Sequence, residues 1–290
     1  MTGLLFRFVA RLLSLFPLRL LHALARPLAA LLWRLSPRLR TVSLANLALC
    51  YPALAPAARE ARARHAMRHY ACSALEVGTC WYGGRRRFER LFDAPVGREA
   101  VEAELAAGRG VLVLAPHFGA WELLGLAISD LLAVTLYKPG QDESLNRLLV
   151  ERRERFGARL VPAGRRGLKA LINELRAGRG AALLPDQEPT GGDGRFAPFF
   201  GVPALTGVLV PRLLQRTGVR AVFAACVRLP GGRFRVHFLP AEPALYDPDL
   251  DTALAALNRG VEAVVALDPD QYLWGYKRFR ARPPGEDRVY

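Results

Sequence analysis

A histidine and a glutamate stand five positions apart in the segment His117–Glu122, which reads HFGAWE. Pro116 precedes the histidine and Gly119 follows it, so the segment predicts a turn between a strand and a helix. The imidazole is then presented at a strand end, and we expect the Glu122 carboxylate, in the first helical turn, to orient one ring nitrogen. The other nitrogen stays free to act as a general base.

No protein nucleophile accompanies this pair. The sequence contains no Gly-x-Ser-x-Gly motif, which would place a serine on a strand-to-helix turn. The residues therefore predict direct transfer, in which His117 takes a proton from a substrate hydroxyl and that oxygen attacks an activated carbonyl. Base assistance of this kind is worth about 10²- to 10⁴-fold in rate. A structural histidine beside an unrelated glutamate is the alternative, and six residues alone do not exclude it.

A second ionisable residue is expected at the same site because one pattern occurs twice. Residues 104–117 and 174–186 each read as a helix closed by glycine, a short apolar strand, a proline and an ionisable residue. The first stretch ends at His117 and the second at Asp186. Open α/β sheets form their ligand crevice at the carboxyl ends of parallel strands. We therefore predict that His117 and Asp186 meet there.

The elements that would position these residues alternate between helix and short apolar run from residue 100 onward. We predict strands at 111–115, 134–137, 159–161, 181–184, 219–228 and 233–239, with helices between most of them and a longer helix over 57–92. Such alternation implies right-handed βαβ crossovers. The predicted fold class is α/β, with a mostly parallel central sheet flanked by helices.

The front of the chain has a different composition. Residues 1–59 contain eight arginines and no acidic residue, and leucine and phenylalanine separate the arginines. No uncharged apolar stretch reaches the roughly 18 residues of a membrane span, so the pattern favours amphipathic helices lying on an anionic membrane surface. We expect Pro17, Pro27 and Pro37 to divide the segment into short helices. Helices that only cover the outside of the core are the alternative.

The overall charge restricts the partners. Lys and Arg number 41 against 26 Asp and Glu, which gives +15 and predicts attraction to nucleic acid, acidic membranes, phosphorylated lipids or an acidic carrier protein. Nucleic-acid binding is a remote alternative, because the densest basic region alternates with Leu and Phe and no helix-turn-helix is evident. The four cysteines form no CxxC pair and are expected to be reduced and buried.

We predict neither a metal nor an organic cofactor. His65 and His69 have the spacing of metal ligands on a helix, but no glutamate directly follows His65 and no third ligand is near. The glycine-rich stretch 191–194 lacks the lysine and helix that complete a nucleotide-binding loop. Both histidines are interpreted as ordinary helix residues.

Along residues 1–284 the chain resembles the bacterial lipid A late acyltransferases, the lauroyl and myristoyl transferases of lipopolysaccharide assembly, within the wider HxxxxD/E glycerolipid acyltransferases. His117 and Glu122 match the catalytic pair. The other matching segments keep the family's order: NLALCYP at 46–52, YKP at 137–139, PDQ at 185–187, PFFGVPALT at 198–206, DPDQYLW at 268–274 and RFRARP at 278–283. Lys138 stands where the family usually has arginine, and Tyr276-Lys277 where it has His-Arg.

The resemblance implies an acyltransferase that moves a fatty acyl group from acyl carrier protein to a hydroxyl of a lipid A precursor, a phosphorylated glycolipid. The reaction would take place at the cytoplasmic face of the cell inner membrane, with residues 1–56 as the membrane-associating segment and 57–290 as the acyltransferase domain. His117 would be the base and Glu122 would hold its tautomer, with no covalent enzyme intermediate. The expected substrate-binding residues are Tyr137, Lys138, Arg153, Arg155, Asp186, Gln187, Phe200 and Thr206.

The departures at Lys138 and Tyr276 leave the acceptor open. A lysophospholipid, an ornithine-type lipid or a mannolipid would suit the same chemistry.

Overall fold

The computed structural model describes residues 2–189 and 192–290, so Thr190 and Gly191, where the glycine-rich stretch begins, lie outside the described residues. The helices are α1 (Thr2–Ser14), α2 (Leu18–Leu35), α3 (Pro37–Cys50), α4 (Pro56–Tyr82), α5 (Arg85–Glu89), α6 (Arg98–Ala106), α7 (Trp121–Ala127), α8 (Glu143–Arg153), α9 (Arg165–Arg176), α10 (Leu209–Thr217) and α11 (Leu250–Leu267). The strands are β1 (Val111–Leu114), β2 (Val134–Tyr137), β3 (Arg159–Pro162), β4 (Gly180–Leu183), β5 (Gly194–Phe199), β6 (Val202–Gly207), β7 (Arg220–Leu229) and β8 (Arg233–Pro240).

The central sheet has the strand order β3-β2-β4-β1-β7-β8. The neighbours from β3 to β7 pair in parallel, and β8 closes one edge as the antiparallel partner of β7. All residues of β1 and β4 are buried, which explains why these strands are uninterrupted apolar or small-residue runs: helices cover both faces of the sheet. The predicted α/β class with a mostly parallel sheet is confirmed.

The register of β1 against β4 positions the site. Val111 pairs with Gly180 and Leu114 with Leu183, so the two strands end level with each other. The loops that follow them therefore start side by side, as the repeated sequence pattern predicted.

A separate hairpin, β5–β6, was not predicted as strands. Its turn residues Phe200 and Gly201 both have positive φ, +50° and +76°. Two-residue hairpin turns favour such angles, but they are usually signalled by Asn-Gly or Asp-Gly, and Phe-Gly carries only half of that signal. The hairpin packs against α11, where Phe200 N–H donates to Glu262 at 2.7 Å.

The first three helices confirm two of the three predicted breaks. Pro17 precedes α2 and Pro37 begins α3, but the predicted break at Pro27 is wrong because α2 continues through it. The loss of one backbone hydrogen bond at Pro27 is offset by packing, since Leu21, Ala25 and other residues of α2 are buried. The predicted helix over 57–92 likewise ends earlier, at Tyr82, where Gly83 and Gly84 adopt extended backbone.

The N-terminal helices have a buried face and an exposed apolar face. Ala25, Trp33 and Leu47 belong to the same core as Leu112 of β1. On the other side, large apolar side chains of α1, α2 and the turn between them are exposed, among them Leu4, Leu5, Phe8, Leu15, Leu20, Leu31 and Leu35. Within residues 2–189 and 192–290, no helix is both long and apolar enough to span a membrane.

Candidate active site

The backbone after β1 bends sharply to present His117. Gly119 has φ +56°, and a Cβ built there would lie 2.1 Å from the carbonyl oxygen of Cys226. The approach is close because Gly119 N–H donates to the carbonyl of Gln271 at 2.9 Å and Ala120 N–H donates to that of Cys226 at 2.8 Å. Only glycine combines this angle with this contact, so the turn in HFGAWE depends on Gly119.

Asp186 holds the His117 imidazole. Its Oδ1 lies 2.9 Å from His117 Nδ1, and its Oδ2 accepts the backbone N–H of His117 at 3.0 Å. Burial by itself raises the pKa of Asp186, but the charge and hydrogen bonds of His117 outweigh it, and the pKa is lowered. The carboxylate is therefore ionised and accepts a hydrogen bond, so Nδ1 carries the proton.

The opposite nitrogen of the ring, Nε2, then holds the lone pair. The Gln187 amide nitrogen lies 3.2 Å from it and donates to it. The Trp121 ring packs against the imidazole with 5.2 Å between ring centroids, while 15% of the His117 side chain remains exposed. A base with a fixed tautomer and a reachable lone pair can deprotonate a substrate hydroxyl.

The expected contact of Glu122 with His117 is wrong. Glu122 instead accepts two hydrogen bonds from Arg153, one from Nε at 3.0 Å and a shorter one from Nη2. Asp186 already occupies Nδ1, and Glu122, at the start of α7, is within reach of the end of α8. Burial lowers the pKa of Arg153, but the Glu122 carboxylate outweighs it, and the pKa is raised.

Trp121 joins the two pairs. The Arg153 guanidinium lies 5.6 Å from the centroid of the indole ring, whose other neighbour is His117. Trp121 also lines two cavities. One, of about 30 Å³, contains His117 and Arg228. The other, of about 60 Å³, is lined by Glu122 and Arg153 and otherwise mainly by Ala, Leu and Ile side chains.

Comparison with known proteins places the chain in a family. A sequence model of bacterial lipid A biosynthesis acyltransferases matches residues 2–281, nearly the whole chain. The chain belongs to the bacterial lipid A biosynthesis acyltransferases. It is therefore an acyltransferase of lipid A biosynthesis.

Relatives of this lipid A acyltransferase include three enzymes of Escherichia coli K12. A lipid A biosynthesis palmitoleoyltransferase is 27% identical over 87% of this chain and 82% of its own length. A lauroyltransferase is 26% identical over 94% and 90%, and a myristoyltransferase 27% identical over 91% and 83%. These relatives differ in the acyl group that their names specify.

Among the expected substrate-binding residues of this acyltransferase, Gln187 and Asp186 lie at His117, and Arg153 lies at Glu122. Tyr137 ends β2, is partly buried and lies close enough to Arg153 to raise the pKa of its guanidinium. Lys138 beside it is exposed. Arg155 points elsewhere: its Nη1 donates to the carbonyl of Gly83, and its guanidinium lies 4.1 Å from the Phe156 ring centroid.

Phe200 and Thr206 belong to the β5–β6 hairpin. Phe200 packs against Tyr51 with 5.2 Å between ring centroids. Thr206 is completely buried and exchanges hydrogen bonds with Asn258, and Arg278 Nη2 donates to its Oγ1 at 3.0 Å. These contacts bind the hairpin to α11 and to the C-terminal segment.

Three residues at the site were not predicted from the sequence: Trp121, Arg228 and His69. Trp121 lies inside HFGAWE, but roles were assigned from the sequence only to His117 and Glu122 at the ends of the motif. Arg228 carried a signal, since it is a charge within the otherwise apolar run of β7. His69 was interpreted as an ordinary helix residue, but it lines the His117 cavity. The part of the chain that the structure describes contains no cluster of three metal-ligating side chains.

Proposed function

We propose that this lipid A acyltransferase moves a fatty acyl group from acyl carrier protein to a hydroxyl of a phosphorylated lipid A precursor, with His117 as general base. The observation that carries the proposal is the contact of His117 Nδ1 with the buried Asp186 carboxylate, 2.9 Å away. This contact leaves the Nε2 lone pair for the substrate. No serine or cysteine nucleophile is needed, and no covalent enzyme intermediate forms.

The step proceeds by direct attack. The acceptor hydroxyl replaces the Gln187 amide at Nε2 and gives its proton to the ring, while its oxygen bonds to the thioester carbonyl carbon. The resulting imidazolium is stabilised by Asp186, whose carboxylate is already ionised. Collapse of the tetrahedral intermediate expels the carrier thiolate, which takes the proton from His117 and leaves as a thiol.

Glu122 acts as a positioning residue. Its carboxylate fixes Arg153 beside Trp121, where Arg153 lines the apolar 60 Å³ cavity and only 23% of its side chain is exposed. An apolar cavity of this volume suits only a few methylene groups of an acyl chain, and the fixed cation that lines it suits a polar group of the donor. Tyr137, which ends β2 near Arg153, and the adjacent Lys138 are proposed as further substrate contacts.

The net charge and the exposed apolar surface support the proposed partners, which are an acidic carrier protein, a phosphorylated glycolipid and an anionic membrane. The net charge of +15 suits an acidic carrier protein and a phosphorylated glycolipid. The exposed leucine and phenylalanine side chains of α1 and α2, with arginines between them, suit an anionic membrane surface. We place the enzyme at the cytoplasmic face of the cell inner membrane, where both partners would be reached.

The test offers purified protein a pool of acyl carrier thioesters of different chain lengths with a tetra-acylated lipid A precursor, and the product is weighed by mass spectrometry. We expect one added acyl chain, and a loss of about 10²-fold or more in rate for the His117→Ala variant. The Arg259→Gln variant, which changes an exposed arginine of α11, serves as the control. A folded His117→Ala enzyme at full rate, or acylation of a lysophospholipid but not of the precursor, would contradict the proposal.

A further inference from the structure

A buried ion pair lies beside the cavity that contains His117. Arg228, on β7, donates from Nε and Nη2 to the two carboxylate oxygens of Glu76, at 2.7 and 2.8 Å. Nη2 also donates to Ser73 Oγ at 2.6 Å. Only 4% of the Arg228 side chain is exposed. Its remaining nitrogen, Nη1, is buried and has no hydrogen-bond partner among the described residues.

A second nitrogen at the same cavity is also buried without a partner in the described part of the chain. It is Nδ1 of His69, on α4. Burial first, and then the charge of Arg228, lower the pKa of His69 to about 4, so the ring is neutral near pH 7. Buried polar atoms in native proteins almost always have a partner. Two such atoms beside one cavity can bind a polar group that enters it.

One residue connects this pair of nitrogens to the catalytic turn. Gln271 accepts the backbone N–H of Arg228 at 2.8 Å and donates its own amide to the Arg228 carbonyl at 3.0 Å. Its backbone carbonyl accepts the N–H of Gly119, two residues after His117. Arg228, Gln271, His69 and His117 line one cavity, so a small group in it would lie beside all four residues.

The size and charge of the cavity select the group. A volume of about 30 Å³ holds one or two groups of the size of water. Glu76 already balances the charge of Arg228, so a full anion such as phosphate would add an uncompensated buried charge. A carbonyl oxygen is small and neutral in the ground state, and it becomes negative only during the reaction.

We propose that Arg228 and His69 form the subsite for the carbonyl oxygen of the acyl thioester. The inference rests on the proposed role of His117. As the acceptor oxygen bonds to the carbonyl carbon and its proton passes to His117 Nε2, the π pair of the carbonyl moves to the oxygen, where Arg228 Nη1 donates a hydrogen bond. When the double bond reforms, the carbon–sulfur bond breaks, and the thiolate takes the proton from His117.

The first test variant is the double substitution Arg228→Met with Glu76→Gln. Removing both charges together avoids leaving one buried charge unpaired. Since one donor of this kind contributes about 10²- to 10³-fold to kcat, we expect a loss of that size, with KM changed by less than about threefold. His69→Phe keeps the ion pair, and we expect it to lower kcat by at least about tenfold. Arg259→Gln is the control for loss of an arginine and should keep the wild-type kcat.

A second readout separates catalysis from structure. A phosphonate analogue of the acyl donor imitates the tetrahedral oxyanion, so its affinity should fall across the variants in proportion to kcat/KM. A purely structural role would lower the melting temperature and leave kcat and analogue affinity of the folded protein unchanged.

Folded variants with wild-type kcat would overturn the proposal, and so would a rise in KM alone. If the double variant does not fold, His69→Phe and its affinity for the analogue decide. If the wild-type protein acylates no lipid A precursor, the proposed function fails. The subsite is then judged separately, by whether His69→Phe weakens binding of the analogue.

Discussion

The carboxylates of Asp186 and Glu122 have different partners: Asp186 contacts His117, and Glu122 contacts Arg153. Asp186 follows β4 and meets His117 because β1 and β4 end level, whereas Glu122 is next to the histidine in sequence but faces Arg153. The spacing in HFGAWE therefore predicted the wrong contact for Glu122. The partner of a side chain depends on which neighbouring element offers a charge, and α8 offers Arg153. Sequence spacing cannot contain that long-range contact.

An experiment that reports the tautomer of His117 should distinguish the role of Asp186 from that of Glu122. In Asp186→Asn the amide can donate to Nδ1, which moves the ring proton to Nε2 and removes the base. We expect kcat to fall by about 10²- to 10⁴-fold with little change in KM. Glu122→Gln keeps a hydrogen bond to Arg153, so the proton should stay on Nδ1. Nitrogen NMR of the His117 ring reports the tautomer, and a shift in Glu122→Gln without one in Asp186→Asn would reverse these roles.

At the scale of elements, the parallel sheet and the meeting of two strand ends were predictable because they follow from repeated local patterns. The helix–glycine–strand–proline pattern before His117 and Asp186 is such a case. The β5–β6 hairpin was not predictable, since its turn at Phe200–Gly201 has a weak signal. At Pro27 the local signal was strong but the prediction was wrong. Proline predicted a helix break, and the packing of α2 kept the helix continuous. Burial of α2, which no short sequence window records, decided the case of Pro27.

The turn at Gly119 gives a test of how backbone contacts between elements stabilise the fold. Gly119→Ala should lower the free energy of unfolding by roughly 2 kcal/mol or more, because the new Cβ meets the Cys226 carbonyl at 2.1 Å and φ is +56°. Gly218→Ala, at the end of α10, is the matched control: φ is +68°, but a Cβ there meets nothing within 4 Å. Its cost should be about 1 kcal/mol. Urea denaturation measures both, and equal costs would show that the contact with Cys226 is unimportant.

At the scale of the whole molecule, one buried cluster joins the N-terminal helices to the sheet. Glu76 on α4 lies 2.7 Å from His22 Nε2 on α2 and pairs with Arg228 on β7. Burial raises the pKa of Glu76, but Arg228 and His22 outweigh it and lower the value to about 2. The cluster of His22, Glu76 and Arg228 therefore depends on an ionised Glu76 carboxylate. It connects α2 and α4 to the central sheet.

Acid should weaken the fold in two ranges of pH. The pKa of His69 is about 4 when folded against an ordinary 6.5, so the unfolded chain binds the extra proton and stability falls as pH drops from about 6.5 to 4. Glu76 stabilises above its ordinary pKa of 4.5, and its contribution, roughly 3 kcal/mol, is lost as pH falls towards 2. His69→Phe should flatten the upper range, and Glu76→Gln with Arg228→Met the lower one. Unfolding free energies measured across pH check this, and unaltered slopes would contradict it.

The amide of Gln187 covers the lone pair of His117, and in the proposed mechanism the acceptor hydroxyl displaces it. While it is in place, the ring cannot activate a water molecule against a waiting thioester. In the proposed mechanism, we therefore expect hydrolysis of the thioester donor to stay slow between turnovers.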